Sequence, residues 1–314
     1  MKFIVAGALG HIGSRLVREI GEWYPNSEIV LIDNLSSERY CSLFNLPKKN
    51  KNVFIKGNVC KLNLNEIFVD ADVVFQLAAI TNAEASLENA NEVEENNFNA
   101  TKKVALACKD LSVPMIYVSS TSVYGTSSNK VNEDCSIDDL KPQSPYAKTK
   151  LVEEDLLKSL ARNEGLRMII LRFGTIFGTS SGMRFHTAVN KFCFQASIGE
   201  PLTVWRTAYD QLRPYLYLDD AMQAFKLIID KSKFNNEIFN VLSGNYSVRN
   251  IIDAIKIFYP NLEIKIVDSK IMNQLSYEVL FDKFKEIGFR PTKDINKGIK
   301  ETLKLINLNK SKYI

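Results

Sequence analysis

No uncharged apolar run in this 314-residue chain approaches the roughly 20 residues that a bilayer crossing requires, so no membrane span and no membrane partner are expected. Cysteine is scarce: Cys41, Cys60, Cys108, Cys135 and Cys193 are five, an odd number, with no CxxC pair. That spacing speaks against a disulfide framework and fits reduced thiols in a reducing compartment. No metal site is expected. An excess of one charge is also missing. The 40 basic and 36 acidic residues leave +4, too little to indicate nucleic acid as a partner. The opening MKFIVAGALG lacks the small-residue cleavage region of an export signal and runs straight into a glycine loop, so a cytoplasmic location is expected. Internal repeats, low-complexity tracts and long linkers are absent as well, which excludes loosely tethered modules.

What is present is an alternation of strand-like and helix-like segments in a chain that is 46% apolar. Apolar runs at 2–6, 28–32, 53–56, 72–77, 114–119 and 167–173 read as strands. Helical spacing appears at 11–24 (Ile12, Leu16, Ile20, Trp23), briefly at 62–68, and at 90–109 and 146–163. Continuous apolar strands separated by helices imply a parallel sheet covered on both faces. The expected fold class is therefore α/β, a Rossmann-type doubly wound parallel sheet with a smaller α/β lobe. Beyond residue 173 the regularity fades, and 174–182 is rich in Gly, Ser and Thr. Helices are expected at 185–197, 219–229, 247–258 and 293–306, and strands at 201–205, 213–218 and 237–241, the last able to rejoin the main sheet. Residues 1–173 plus about 213–243 form the expected sheet domain. Residues 174–212 plus 244–314 form the expected lobe.

Gly7-Ala8-Leu9-Gly10-His11-Ile12-Gly13 joins the first strand to the first helix. Glycines there permit a tight turn and close approach of a pyrophosphate, while the helix N-terminus offers unpaired N–H groups and partial positive charge. GxxGxxG alone is a weak signal. With Asp33 at the end of the second strand it points to a dinucleotide site. A carboxylate at that point accepts ribose hydroxyls and repels a ribose phosphate, and no Arg follows directly, so NAD is expected over NADP. His11 reads as a surface residue facing solvent or the pyrophosphate.

Tyr146 and Lys150 lie four apart behind Pro145, on one helix face. Hydride transfer at an alcohol carbon requires a base for the hydroxyl proton. A free phenol titrates near about 10; a neighbouring ammonium and an oxidised nicotinamide both favour its ionised form. Ser119-Ser120-Thr121-Ser122-Val123-Tyr124-Gly125 falls at the carboxyl end of the fifth strand, the edge where open parallel sheets bind ligands. A hydroxyl there can bond the reacting oxygen.

Taken together, GALGHIG, VLIDNLSS, VVFQLAAIT, NNFNATKKV, IYVSSTSVYG, SPYAKTK, LRFGTIFG and RPYLYLDDA resemble the extended short-chain dehydrogenase/reductase family. The similar branch is that of NAD-dependent nucleotide-sugar epimerases and dehydratases (UDP-galactose 4-epimerase-like), and the resemblance covers nearly the whole chain. It implies that Gly7, Gly10, Gly13, Asp33 and Asn34, with His11 and Ile12 inside the loop, hold the adenosine diphosphate end of NAD. Asn58, Val59, Leu77, Ala78, Ala79, Asn97 and Ser119 are implied to lie along or near the cofactor, and Phe173 beside the nicotinamide. Ser120 matches the catalytic Ser/Thr, Tyr146 the base, and Lys150 the residue that binds the nicotinamide ribose and tunes Tyr146. The implied activity is 4-epimerisation of a nucleotide-diphosphate sugar through transient oxidation at carbon 4. A homodimer is implied as well, through a four-helix bundle of residues 90–109 and 146–163.

The substrate half carries fewer signals. By the same resemblance, Arg213 in RPYLYLDD is aimed at the nucleotide's diphosphate, a task suited to a planar charged fork; a salt bridge to Asp219 or Asp220 is the alternative. Thr203 and Trp205 match the strand that cradles the base, with lobe core as the equal alternative for Trp205. Asn190, Thr121 and Thr175 are further substrate candidates, while Arg184 and Arg206 read as surface. The chain also departs from the family pattern. Asn58 replaces an adenine-contacting Asp, and Thr175 replaces a sugar-contacting Asn. Thr121 and Ser122 stand where 4,6-dehydratases carry Asp-Glu, and hydroxyls are poor acids and bases near neutral pH. A nucleotide-sugar dehydrogenase, dehydratase or decarboxylase is the second reading. A non-catalytic dinucleotide sensor is the third, disfavoured because Tyr146 and Lys150 are both present.

Overall fold

A computed structural model describes residues 1–81, 90–125, 130–268, 276–292 and 294–306. In chain order the elements are β1 (Lys2–Ala6), α1 (His11–Trp23), β2 (Glu28–Asp33), β3 (Lys51–Lys56), α2 (Leu64–Ile67), β4 (Val73–Gln76), α3 (Ala90–Asp110), β5 (Met115–Ser120), β6 (Lys130–Val131), α4 (Pro145–Glu164) and β7 (Met168–Phe173). They continue with β8 (Thr175–Phe177), α5 (Ala188–Ile198), β9 (Leu202–Trp205), β10 (Arg213–Tyr217), α6 (Leu218–Asp230), β11 (Ile238–Val241) and β12 (Gly244–Tyr246). The last are α7 (Val248–Lys256), β13 (Ile264–Val267), β14 (Glu278–Val279), α8 (Asp282–Glu286) and α9 (Ile295–Ile306).

The main sheet has seven strands in the order β11-β7-β5-β4-β1-β2-β3, every pair parallel. Strand side chains alternate between faces. In β1, Phe3 and Val5 join Leu16 and Ile20 of α1 and Phe225 of α6 on one face. Ile4 and Ala6 join Val104 of α3 and Leu157 of α4 on the other. Burial on both faces is why these strands read as unbroken apolar runs, and the doubly wound sheet is as expected. The order reverses between β1 and β4, which opens a crevice at their carboxyl ends.

Helix α4 carries Tyr146 and Lys150 into this crevice. Ser144 caps it by accepting the Ala147 N–H at 3.2 Å, Pro145 occupies the first turn, and Gly165 ends it at φ +79°.

The second lobe differs from expectation in two places. Residues 175–177, inside the Gly/Ser/Thr-rich stretch, form β8, which pairs with β10 in a three-stranded sheet completed by β12. Strand 213–217 therefore belongs to this small sheet and not to the main one. Conversely, Phe281, Phe284 and Phe289 pack back into the main core, so the region after β13 is not lobe throughout. The lobe's own core gathers Phe177, Val189, Tyr215, Ile251, Ile255 and Ile299. Lys293, at the expected start of the last helix, lies outside the described residues.

Candidate active site

The amino end of α1 is Gly10, which makes no side-chain cap bond, and Gly10, His11, Ile12 and Gly13 border the crevice. Two glycines are sterically required. A Cβ on Gly7, at φ +80°, would stand 2.7 Å from the Ala78 nitrogen, and one on Gly13 would stand 2.3 Å from the Gly7 oxygen. Backbone cannot step aside as a side chain can. A recess beyond the loop is lined by Gly7, Gly10, Asp33, Asn34, Asn58, Val59, Leu77, Ala78 and Ala79, with Ser36, Ser37 and Arg39 added by the structure. Asp33 accepts the N–H of Leu9 at 3.0 Å and of Leu35 at 2.9 Å, tying β2 to the glycine loop. Asn34 and Asn58 use their side-chain oxygens on Ser36 N–H and Cys60 N–H, shaping their own turns.

Two residues expected near the cofactor sit differently. Asn97 is fully buried and brackets Ile80, accepting its N–H at 2.8 Å and donating to its carbonyl at 2.9 Å. It braces the loop after β4 and does not form recess wall. His11 is not a surface residue: it is buried, with Nε2 2.9 Å from the Gly178 carbonyl, although it also borders the second recess. Burial, aided by repulsion from Arg184, pushes its pKa from 6.5 to about 3. The cause is the segment between β8 and α5, which crosses over the start of α1 through a Gly182 N–H to Ser14 Oγ bond of 2.9 Å.

The second recess shares Gly7, Gly10, Arg39, Leu77 and Ala79 with the first. It brings Ser120, Tyr146, Lys150, Phe173, Thr121, Thr175 and Arg213 together with Ile12 and Gly13. Ser120 Oγ accepts the Ser122 N–H at 3.1 Å and the Ser122 hydroxyl at 2.8 Å, which leaves its own proton for a ligand. Lys150 Nζ stands 5.9 Å from the Tyr146 ring centroid. It donates to Tyr117 Oη at 3.0 Å and the Val118 carbonyl at 3.2 Å, and lies 3.2 Å from Glu153 Oε2.

Behind the recess lies a buried network that the motifs did not reveal. Glu153, fully buried, accepts Thr101 Oγ1–H at 2.6 Å and Tyr117 Oη–H at 2.5 Å. Burial first, then Glu153, drives the Tyr117 phenol well above its ordinary pKa, so it stays a donor. Glu154, also fully buried, takes two bonds from Arg172 at 2.9 and 2.6 Å and one from Ser119 Oγ at 2.6 Å. The Ser119 hydroxyl is thus bonded to α4, while the residue also borders the second recess. Each buried carboxylate has its own cation and its own hydroxyl donors, the arrangement under which buried charge is tolerated. The available signal was a Glu pair one turn beyond Lys150.

On the substrate side, Thr121 Oγ1 donates to the Phe173 carbonyl at 3.2 Å, and Phe173 packs on Phe225 with centroids 5.4 Å apart. Arg213 stacks 5.2 Å from the Tyr277 ring centroid at the recess wall. Asp219 pairs with Arg15 and Lys297, and Asp220 is bonded by Ser243 and Thr292. Three candidates do not reach the recess. Asn190 is fully buried, accepting the Gly178 N–H at 3.1 Å and donating to the Arg184 carbonyl at 3.0 Å. Thr203 and Trp205 occupy the exposed face of β9, because Leu202 and Val204 take the core face. Arg206 is an exposed partner of Asp268, as expected, whereas Arg184, expected on the surface, lines the recess.

A glycine turn at the head of α1, an acidic β2 end and a Ser, Tyr and Lys set on one crevice define an α/β chain of the short-chain dehydrogenase type. The model of the NAD dependent epimerase/dehydratase family matches residues 3–241, and the chain belongs to that family. UDP-glucuronic acid 4-epimerase from Bacillus cereus, solved with UDP-glucuronic acid and NAD, superposes with a TM-score of 0.88 at 26% identity, over 98% of this chain and 99% of that one. UDP-N-acetylglucosamine 4-epimerase from Methanobrevibacter ruminantium M1 gives 0.85 at 26% identity, over 96% and 97%. In sequence, the uncharacterized UDP-glucose epimerase YtcB of Bacillus subtilis is 30% identical over 249 residues, 77% of this chain and 76% of its own. The trifunctional UDP-glucose 4,6-dehydratase/UDP-4-keto-6-deoxy-D-glucose 3,5-epimerase/UDP-4-keto-L-rhamnose-reductase RHM3 of Arabidopsis thaliana is 29% identical over 96% of this chain. The chain spans about half, 46%, of that relative's length. Among the described residues, no helix is long and apolar enough to cross a membrane.

Proposed function

We propose that this protein is an NAD-dependent 4-epimerase of nucleotide-diphosphate sugars. One observation carries the reading. Ser120, Tyr146 and Lys150 share a recess with the glycine cradle, and no Asp or Glu is among the described residues lining that recess. The cradle fits NAD: Gly7 and Gly13 leave space that a Cβ would fill, and the first turn of α1 presents amides to an anion. Bound there, NAD supplies reversible hydride acceptance at carbon 4 of the sugar. The Tyr146 phenolate removes the proton of the carbon-4 hydroxyl, with Lys150 Nζ 5.9 Å from its ring centroid. Ser120 donates to the same oxygen and orients it. After the keto sugar presents its other face, Tyr146 returns the proton and the inverted alcohol leaves. Arg213, at the far wall with Thr175, takes the substrate's diphosphate.

Dehydration across carbons 5 and 6 needs a separate acid and base. The residues after Ser120 are committed elsewhere, Thr121 to the Phe173 carbonyl and Ser122 to Ser120, which supports epimerisation even though dehydratases occur among the relatives. The test is a panel of UDP-, GDP- and dTDP-sugars incubated with protein and NAD. The expected product has unchanged mass and inverted configuration. Loss of water or of two hydrogens moves the assignment to a dehydratase or dehydrogenase, and no product from any donor sinks the reading. Tyr146→Phe is expected to lower turnover by roughly 10²–10⁴-fold while sparing NAD binding.

A cytoplasmic homodimer completes the proposal. Helices α3 and α4 pack side by side and leave Glu94, Glu95 and Val152 exposed, a face on which a second copy builds a four-helix bundle. A monomer mass by light scattering at micromolar concentration would refute it.

A further inference from the structure

Arg184 lines the second recess without a role in the scheme above. It lies between β8 and α5 and is half-buried. Its guanidinium donates from Nη1 to Thr81 Oγ1 at 2.5 Å, and its Nε is shielded from solvent and has no partner. The backbone around it is pinned: Asn190 donates to the Arg184 carbonyl at 3.0 Å, and the nearby Gly182 N–H donates to Ser14 Oγ at 2.9 Å. Burial pulls the Arg184 pKa below its usual value; Tyr146, in its ionised form, opposes that shift, and Arg39 adds to it. No carboxylate is among the described residues lining the recess. A guanidinium shielded from water without a matching anion is costly, and a ligand can bring the missing charge.

Shape and place name that charge. With Nη1 on Thr81, the guanidinium keeps its Nε edge for a ligand. Arg172 presents the same edge to the Glu154 carboxylate, Nε at 2.9 Å and Nη2 at 2.6 Å. A planar carboxylate is the anion that such a fork matches. The place is set by Tyr146, the first charge partner of Arg184. Tyr146 takes the carbon-4 hydroxyl, so the group that answers Arg184 sits on a ring position next to carbon 4. Carbon 3 bears a hydroxyl. Carbon 5 bears carbon 6, which in a hexuronic acid is a carboxylate. The substrate's diphosphate has Arg213, stacked on Tyr277, and Arg184 is absent from the lining of the first recess.

We propose that Arg184 is the carboxylate subsite of this recess and that the substrate class is nucleotide-diphosphate hexuronic acids, with the acid group on carbon 5 of the sugar. The proposal rests on the 4-epimerase reading above and narrows it. A neutral hexose would set a hydroxymethyl group against Arg184 and leave the guanidinium without a counter-charge. Thr81 is a positioning residue: it holds one side of the fork and leaves the Nε edge to the acid.

The test uses NAD-loaded protein and matched pairs that differ only at carbon 6: UDP-glucuronic acid against UDP-glucose, and the dTDP-linked pair. The wild type should favour the acid in kcat/KM by roughly 10- to 100-fold, the worth of a charge-assisted hydrogen bond. In Arg184→Gln the acid-to-neutral ratio should fall to within about threefold of unity on the same ground, and in Thr81→Val it should fall by less, with circular dichroism confirming the fold. A purely structural role would lower both sugars together and keep the ratio. Titration calorimetry on the wild type needs no variant: the acid should bind more tightly than the neutral sugar. Equal binding, preference for the neutral sugar, or an Arg184→Gln variant that keeps the ratio overturns the subsite. So does a variant that loses affinity for UDP alone, which gives Arg184 to the diphosphate. An acid that binds preferentially but returns with its configuration unchanged keeps the subsite and removes the epimerase reading. A product lighter by carbon dioxide does the same: the bond from carbon 5 to the carboxylate breaks in the keto intermediate, its electron pair passes to the carbon-4 carbonyl, and carbon 5 takes a proton.

Discussion

Replacing Glu153 by Gln probes whether the ammonium beside Tyr146 depends on a buried counter-charge. The Glu153 carboxylate is fully buried, 3.2 Å from Lys150 Nζ, and holds the hydroxyls of Thr101 and Tyr117. An amide keeps the volume but removes the charge, and it turns NH₂ donors toward groups that are themselves donors. At an effective dielectric near 20, a pair at this separation is worth about 5 kcal/mol. Breaking a buried pair by removing one partner costs roughly 3–5 kcal/mol. A chain of this size shifts by about 2 °C per kcal/mol, so Tm should fall by roughly 6–10 °C in scanning calorimetry. Lys150 and Tyr117 are the titratable groups in contact with Glu153, with the Glu154–Arg172 pair one layer out. Asp155→Asn, which removes an exposed partner of Lys158 on the same helix, is the control and should cost at most about 1 kcal/mol. A Glu153→Gln variant that melts with the wild type would show that Glu153 is not the ammonium's counter-charge.

Two further outcomes follow from the crossing of the 178–184 segment over the glycine loop. His11 is held neutral in the fold down to about pH 3, against 6.5 when unfolded. Its contribution is therefore whole above pH 6.5 and is lost as pH falls toward 3, at up to about 1.4 kcal/mol per pH unit. Urea titrations at pH 6.5 and 5.0 should show a smaller acid loss for His11→Gln, by up to about 2 kcal/mol; an equal loss would mean the ring is not buried neutral. For Gly182→Ala, the added Cβ would meet the Leu9 oxygen at 2.2 Å and the Gly10 oxygen at 2.6 Å. Titration calorimetry should find NAD affinity weakened relative to the wild type. Equal affinities would unseat the segment from the loop.

Much of the chemistry was legible because it is written between near neighbours in the chain. Tyr146 and Lys150 share a face by helical spacing, and Ser144-Pro145 starts that helix whatever packs on it. The GxxGxxG turn and Asp33 belong to one strand-turn-helix-strand unit, and unbroken apolar strands announce a sheet buried on both sides. Residues whose role depends on distant partners were not legible. His11 is buried by Gly178, 167 positions away; Arg184 is drawn inward by Thr81, 103 away; Glu153 is answered by Thr101, 52 away. In β9 the twofold alternation marks two faces without saying which one is core, and the packing of Leu202 and Val204 sent Trp205 outward. Strand β8, at three residues, is too short to show a period and exists through its pairing with β10.

By itself, then, the sequence determined the sheet, the glycine turn at the head of α1 and the shared helix face of Tyr146 and Lys150, since each follows from backbone geometry over a few consecutive residues. Only the tertiary structure decided which cations face the crevice, which carboxylates stand behind the lysine and which polar side chains brace loops. Those roles arise when remote segments meet and water is excluded between them, and no local spacing encodes that event.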